Sequence, residues 1–160
     1  MQAIAQPYLL TADEGTPLWF LGTLTLVKAT GEQTGGTFGL IENRIPVGFS
    51  SPYHLHHRED EAFYVTEGEL AVIVDGKWSA APAGTFVYGP REVPHGFKAV
   101  GERSAKLLLL NTPAGFEHFV IEMSEPAATF TYPTPAAPDM AKLMAVAAQY
   151  GVDILGPLPE

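Results

Sequence analysis

Residues 48–68 read GFSSPYHLHHREDEAFYVTEG, and positions 54–67 alone hold three histidines and four acidic residues. The whole chain has five histidines. Such a cluster is either a solvated acidic loop or a metal site. In an extended strand, residues i and i+2 point to the same face. His54 and His56 therefore stand side by side, two nitrogen ligands with Leu55 behind them. Glu61 follows five residues later and would face the other way on an unbroken strand. Residues 57–60 must then form a loop or bulge if its carboxylate is to join the pair. Beyond it, Glu61, Phe63 and Val65 share one face. A carboxylate beside two apolar residues is costly unless it is paired or bound to a cation. A further imidazole, His95, follows the turn in GTFVYGPREVPH and opens another apolar strand. Three imidazoles and one carboxylate would suit one divalent Fe, Mn, Ni, Co or Zn ion with positions left open for substrate. His57 adjoins His56 and faces away in a regular strand. His118 falls in a predicted helix, where a solvated or capping role is enough.

The elements that must position these residues are mostly strands. Residues 17–111 are a succession of short apolar runs separated by turn residues. Asp75-Gly76 lies between AVIV and KWSA, the chemistry of a two-residue hairpin turn whose central residues need positive φ. Fourteen prolines and sixteen glycines fit a turn-rich β fold, and strands without intervening helices suggest a closed barrel or a sandwich. The last third changes character. Thr112 as N-cap and Pro113 at the first helical position predict a helix carrying Phe116, Phe119, Val120 and Met123. TYPTPAAP predicts an extended connector. PDMAKLMAVAAQYG predicts a second helix, with a stripe of Met140, Leu143, Met144 and Ala147 and a cap at Gly151. Both stripes read as packing.

Composition narrows the chemistry. A chain of 160 residues is the size of one domain. It is 46% hydrophobic and 17% charged, within the ordinary globular range. Eighteen acidic against nine basic residues give a net charge of −9, which argues against nucleic acid or an anionic membrane as partner. There is no cysteine, so any metal is held by nitrogen and oxygen. The opening MQAIAQPYLLTADEG has neither the basic segment nor the apolar run of a leader. The apolar stretch 18–27 is too short for a bilayer. The expected location is the cytoplasm.

These residues carry a family resemblance. Gly48, His54, His56, Glu61 and Gly68 match the spacing of the first motif of the cupin family at every defined position. Gly84, Pro90 and His95 resemble the second motif, with Glu92 where the pattern has glycine and Ala99 where it often has asparagine. The resemblance implies an all-β fold: a jelly-roll barrel of two antiparallel sheets, with C-terminal helices. It implies one cupin domain over residues 1–160, with a barrel core at about 17–111 and a helical extension at about 112–155. His54, His56, Glu61 and His95 match the family's metal ligands. Glu61 is also the candidate catalytic base, and Tyr53, Phe63, Val65 and Phe97 are the candidate substrate pocket. HHREDEAFYVTEGEL and NTPAGFEHFV look most like the small cupins that cleave flavonols. The implied activity is a metal-dependent dioxygenase acting on a hydroxylated aromatic or enolic small molecule. An isomerase or lyase using the metal as a Lewis acid, or a ligand binder without turnover, is the alternative. The resemblance also implies a homodimer, paired through an outer sheet in which the run 18–27 would serve.

Overall fold

The computed structural model describes residues 5–160. Residues 1–4, the start of the stretch read for a leader, lie outside the described residues. The elements run β1 (Thr16–Phe20), β2 (Thr23–Ala29), α1 (Gly31–Thr34), β3 (Gly39–Ile45), β4 (Tyr53–His56), β5 (Asp60–Glu67), β6 (Glu69–Val74), β7 (Lys77–Pro82), β8 (Phe86–Gly89), β9 (His95–Ala99), β10 (Ala105–Thr112), α2 (Phe116–Met123), β11 (Glu125–Pro126), α3 (Met140–Gln149) and β12 (Val152–Gly156). They form two antiparallel sheets. One has the order β11-β1-β2-β3-β10-β5-β8 and the other β12-β4-β9-β6-β7. Among the described residues no ladder joins the two sheets, so they form an open pair of facing sheets rather than a closed hydrogen-bonded barrel.

Alternation explains the core. On β10, Ala105, Leu107, Leu109 and Asn111 are buried while their neighbours are partly exposed. On β5, Glu61, Phe63 and Val65 point inward together. The sheets thus bury one face each and place polar ligands among apolar neighbours. The expected Asp75-Gly76 hairpin is present, with φ of 49° and 72° at the two turn residues. The run 18–27 is not one strand but a second hairpin, turning at Leu21 and Gly22 with φ of 46° and 92°. Leucine carries no turn signature, which is why the sequence hides this bend. Leu18, Leu24, Leu26 and Val27 are buried within the chain, while Trp19, Phe20 and Leu21 keep partial exposure.

The C-terminal third differs from expectation in three ways. Strand β10 continues through Thr112, and the following helix opens only at Phe116 with Gly115 at its cap. Thr112 and Pro113 are therefore not its start, because ladder pairing of Thr112 with Asp60 outcompetes a local cap. On α3 the buried stripe is Leu143, Val146 and Ala147, while Met140 and Met144 are half exposed. Its N-cap is Asp139, which accepts from the Lys142 amide at 3.0 Å. The extension also ends in a strand: β12 pairs with β4, setting Val152 opposite His56 and Ile154 opposite His54. A buried carboxylate, Glu117, fastens α2 in place by accepting from the Gly31 amide at 2.7 Å and the Gly115 amide at 2.8 Å. Among the described residues no helix is long and apolar enough to cross a membrane.

Candidate metal centre

Four side chains from three strands converge between the sheets. His54 and His56 lie on β4, Glu61 on β5 and His95 on β9, with His54 directly opposite His95 in the ladder. All four are buried. One donor atom from each lies within 4.8 Å of the others. An ion bonded at about 2.0–2.2 Å holds its ligands about 3–4.4 Å apart, so the cluster has the dimensions of a coordination sphere. The loop expected over 57–60 is present at 57–59, with Asp60 already in β5, and it turns Glu61 onto the histidine face.

The outer nitrogens are already committed. His54 Nδ1 lies 2.9 Å from the Pro52 carbonyl, and His95 Nδ1 lies 3.0 Å from the Val93 carbonyl. His56 Nδ1 faces the Glu59 carboxylate at 3.5 Å. Each ring thus turns Nδ1–H outward and leaves Nε2 toward the centre, the arrangement by which outer acceptors orient metal-ligating imidazoles. Glu61 bridges the centre, its oxygens 3.2 Å from His56 Nε2 and 3.3 Å from His95 Nε2. Both ring nitrogens of His56 are buried without a hydrogen bond of good geometry. A buried polar atom without a partner is costly, and a cation between these four groups would relieve it. The nitrogen and oxygen donor set fits such an ion.

Electrostatics in the metal-free cluster follow from this packing. Burial and the neighbouring His95 and His56 hold His54 down to about 3, so it is neutral. Burial also pulls His56 down, but the Glu61 and Glu59 carboxylates outweigh it and raise the ring to about 9. Burial pushes Glu61 up, yet His56 and His95 hold it well below the usual carboxylate range. The two shifts share a cause: His56 Nε2 and Glu61 Oε2 lie 3.2 Å apart, and each group favours the charged form of the other.

Two residues that sequence reasoning missed complete the centre. Asn111, paired with Glu61 across the β5–β10 ladder, donates from Nδ2 to Glu61 Oε2 at 3.0 Å. Glu59 is buried beside His56, and a Cβ at Gly115 would come within 2.9 Å of its carboxylate oxygen. Only the tertiary fold reveals either role, since Glu59 reads as one more acid in a charged loop. Replacing Glu59 with glutamine keeps an acceptor for Nδ1–H but removes the charge. It is expected to weaken metal binding about 10–100-fold, the usual effect of such outer partners. Competition with a chelator measures this, and a change below about threefold would reduce Glu59 to packing.

His57 points away from the centre and is exposed. Its Nδ1 lies 2.8 Å from Glu92, and its Nε2 lies 2.9 Å from Asp153 on β12. Glu92 has φ of 67°, which explains why the motif has glycine at this position. Its amide donates to the His56 carbonyl at 2.8 Å, tying the turn to the ligand strand. Hydrogen bonds to Glu92 and then Asp153 raise the His57 pKa above its ordinary value. A raised folded pKa stabilises fully below the unfolded value of about 6.5, and the effect fades as pH rises through the folded pKa. His57→Ala should therefore lower the melting temperature of metal-free protein near pH 5.5, with the gap shrinking as pH rises. A gap independent of pH would sink this reading of the contact. His118 lies 3.1 Å from Glu32 on the surface, apart from the centre.

Beside the four ligands lies a small apolar cavity of about 60 Å³. His54, Glu61 and Phe97 line it. The other expected pocket residues do not. Tyr53 precedes His54 by one position on β4 and so faces the opposite side. Phe63 lies behind Phe97, ring centroids 5.8 Å apart, and Val65 is deeper in the core. The aromatic wall comes instead from Phe20, Phe49, Phe116 and Phe119. Phe116 touches His56, and Phe119 packs edge-on against Phe20, so α2 runs along the cavity as one wall.

Residues 42–111 match the family described as Cupin domain. Together with the two facing antiparallel sheets and the His/Glu cluster between them, this match makes the stretch similar to a cupin domain. The chain is 26% identical to quercetin 2,3-dioxygenase of Bacillus subtilis (strain 168) over 129 residues, 81% of this chain. It is 28% identical over 74 residues to an uncharacterised protein of Methanocaldococcus jannaschii. The chain spans 38% of the Bacillus protein and 59% of the Methanocaldococcus one. A Thermotoga maritima structure described as a predicted oxalate decarboxylase superposes with a TM-score of 0.62 at 18% identity, covering 66% of this chain and 99% of that one, a likeness of fold. A cupin-superfamily sugar phosphate isomerase from Silicibacter pomeroyi superposes with a TM-score of 0.52 at 26% identity, covering 59% and 61%.

Proposed function

We propose that this chain is a metal-dependent dioxygenase of a hydroxylated aromatic or enolic small molecule. The observation that carries the reading is the joining of a His54–His56–Glu61–His95 cluster to an aromatic-walled cavity. The similarity to a quercetin 2,3-dioxygenase supports it. A divalent ion held by the four side chains supplies Lewis acidity toward a substrate oxygen and, if redox-active, a route for electrons to dioxygen. The protein's own part is positional and acid–base. Phe49, Phe97 and Phe116 hold a flat ligand and exclude water. Glu61 is ionised and takes the proton of the substrate hydroxyl, while Asn111 fixes the carboxylate that receives it.

A Lewis-acid isomerase would use the same ligands, and one solved relative is a sugar phosphate isomerase. The cavity lining counts against a phosphorylated sugar, because it contains no lysine or arginine to hold a phosphate. The deciding experiment is a panel of flavonols, catechols and enediols tested with Fe, Mn, Ni, Co and Zn forms in an oxygen electrode. Oxygen consumed in proportion to substrate lost supports the proposal. Equal conversion under strict anaerobiosis, or activity in the zinc form alone, overturns it in favour of the isomerase.

A further inference from the structure

The cavity has a second polar corner, away from the imidazoles. Asn43 on β3 is 7% exposed and lines the cavity. The Thr25 hydroxyl donates to its Oδ1 at 3.2 Å, and Thr23 stands behind Thr25 at 3.1 Å. The carboxamide is thus held from one side. Its Nδ2 carries two N–H donors and no acceptor from the protein. An amide donor that lines a cavity and has no protein acceptor among the described residues is available to an acceptor that arrives with a ligand.

Strand register gives its distance from the metal cluster. Glu61 pairs with Asn111, and Asn111 pairs with Gly39. Asn43 lies four residues beyond Gly39, about 13 Å along the strand at the usual rise per residue. Ile41 and Leu109, paired across the ladder, line the cavity between the two levels. The cavity is therefore apolar in its middle and polar at two separated ends.

We propose that Asn43 is a specificity-determining residue that binds a second oxygen, on the end of an extended aromatic ligand remote from the metal cluster. The inference rests on the proposed function, which brings an enolic oxygen of the same ligand to that cluster. The ligand class is an aromatic enol bearing a further hydroxyl on its distal ring.

The test compares 3-hydroxyflavone with 3,4′-dihydroxyflavone, binding each to the protein as isolated, under nitrogen, and reading flavone fluorescence. One added hydrogen bond predicts about 3–10-fold tighter binding of the dihydroxy compound. Asn43→Leu should bring that ratio close to one by weakening the dihydroxy compound alone. Thr25→Val keeps the amide but frees its orientation, and should lower the ratio part of the way even if the leucine variant does not fold. Equal affinity of the native protein for both compounds overturns the role of Asn43 and leaves the enol reading standing, as does a ratio that neither variant changes. Failure of the native protein to bind either compound overturns the enol reading itself, and the role of Asn43 with it.

Discussion

Glu61→Gln is expected to lower turnover about 10²–10⁴-fold, the usual contribution of a positioned base. Glutamine keeps the length and one oxygen of the side chain, so the Asn111 hydrogen bond at Oε2 has a replacement acceptor. What it lacks is the negative charge that receives the substrate proton. Glu61 is held well below the ordinary carboxylate range in the metal-free cluster, chiefly because His56 and His95 outweigh its burial. It is therefore in its proton-accepting form across the neutral range. The measurement must separate chemistry from metal content, since Glu61 is also a candidate ligand. Turnover per bound ion is the proper readout. A variant that keeps its metal and works within a few-fold of the native rate would remove Glu61 from proton transfer.

His56→Ala should abolish tight metal retention, weakening binding by more than the roughly 10–100-fold typical of outer partners. The two sheets should persist, since the apolar core does not depend on this ring. The same residue sets the pH dependence. A free histidine titrates near 6.5, and competition between metal and protons would ordinarily fade above that value. In this cluster His56 is raised to about 9. An incoming cation must therefore displace a proton from it throughout the neutral range. Affinity should climb about tenfold per pH unit between 7 and 9 and level off above. Calorimetry in buffers of different ionisation enthalpy should show about one proton released per ion at pH 7.5. No proton release there would show that His56 is neutral before the metal arrives. The stability of the metal-free protein carries the matching signs. The His56 contribution is present at low pH and is lost as pH rises through about 9. The Glu61 contribution is present above its unfolded value near 4.3 and is lost as pH falls through its depressed folded pKa.

The parts of the site that sequence made legible follow period-two logic. Leu55 between two histidines places both rings on one face, and β5 alternates Glu61, Phe63 and Val65 inward as expected. Asp75-Gly76 marked its hairpin because turn chemistry is local. What stayed hidden depends on contacts far along the chain. Asn111 meets Glu61 only after β10 pairs with β5. Phe20, Phe116 and Phe119 become one wall only once α2 packs over the sheet. β12 is a strand of five residues following a helix, too short for periodicity to announce. Thr112 looked like a cap because capping preference is local, whereas its strand pairing is not.

The pairing of β12 with β4 also bears on the order in which the molecule can be assembled. The strand carrying His54 and His56 touches β9 at a single rung, His54 with His95, and takes its other ladder from β12. That second ladder joins residues nearly a hundred positions apart, as does the His57–Asp153 contact beside it. Closing so long a loop is slow relative to hairpins such as β6–β7. Until it closes, β4 is a bare edge with both ligand rings on an unsupported ribbon. A cut in the proline-rich connector that released α3 and β12 would return β4 to that state. The imidazole pair would be the first region to loosen and the most exposed to pairing with another chain.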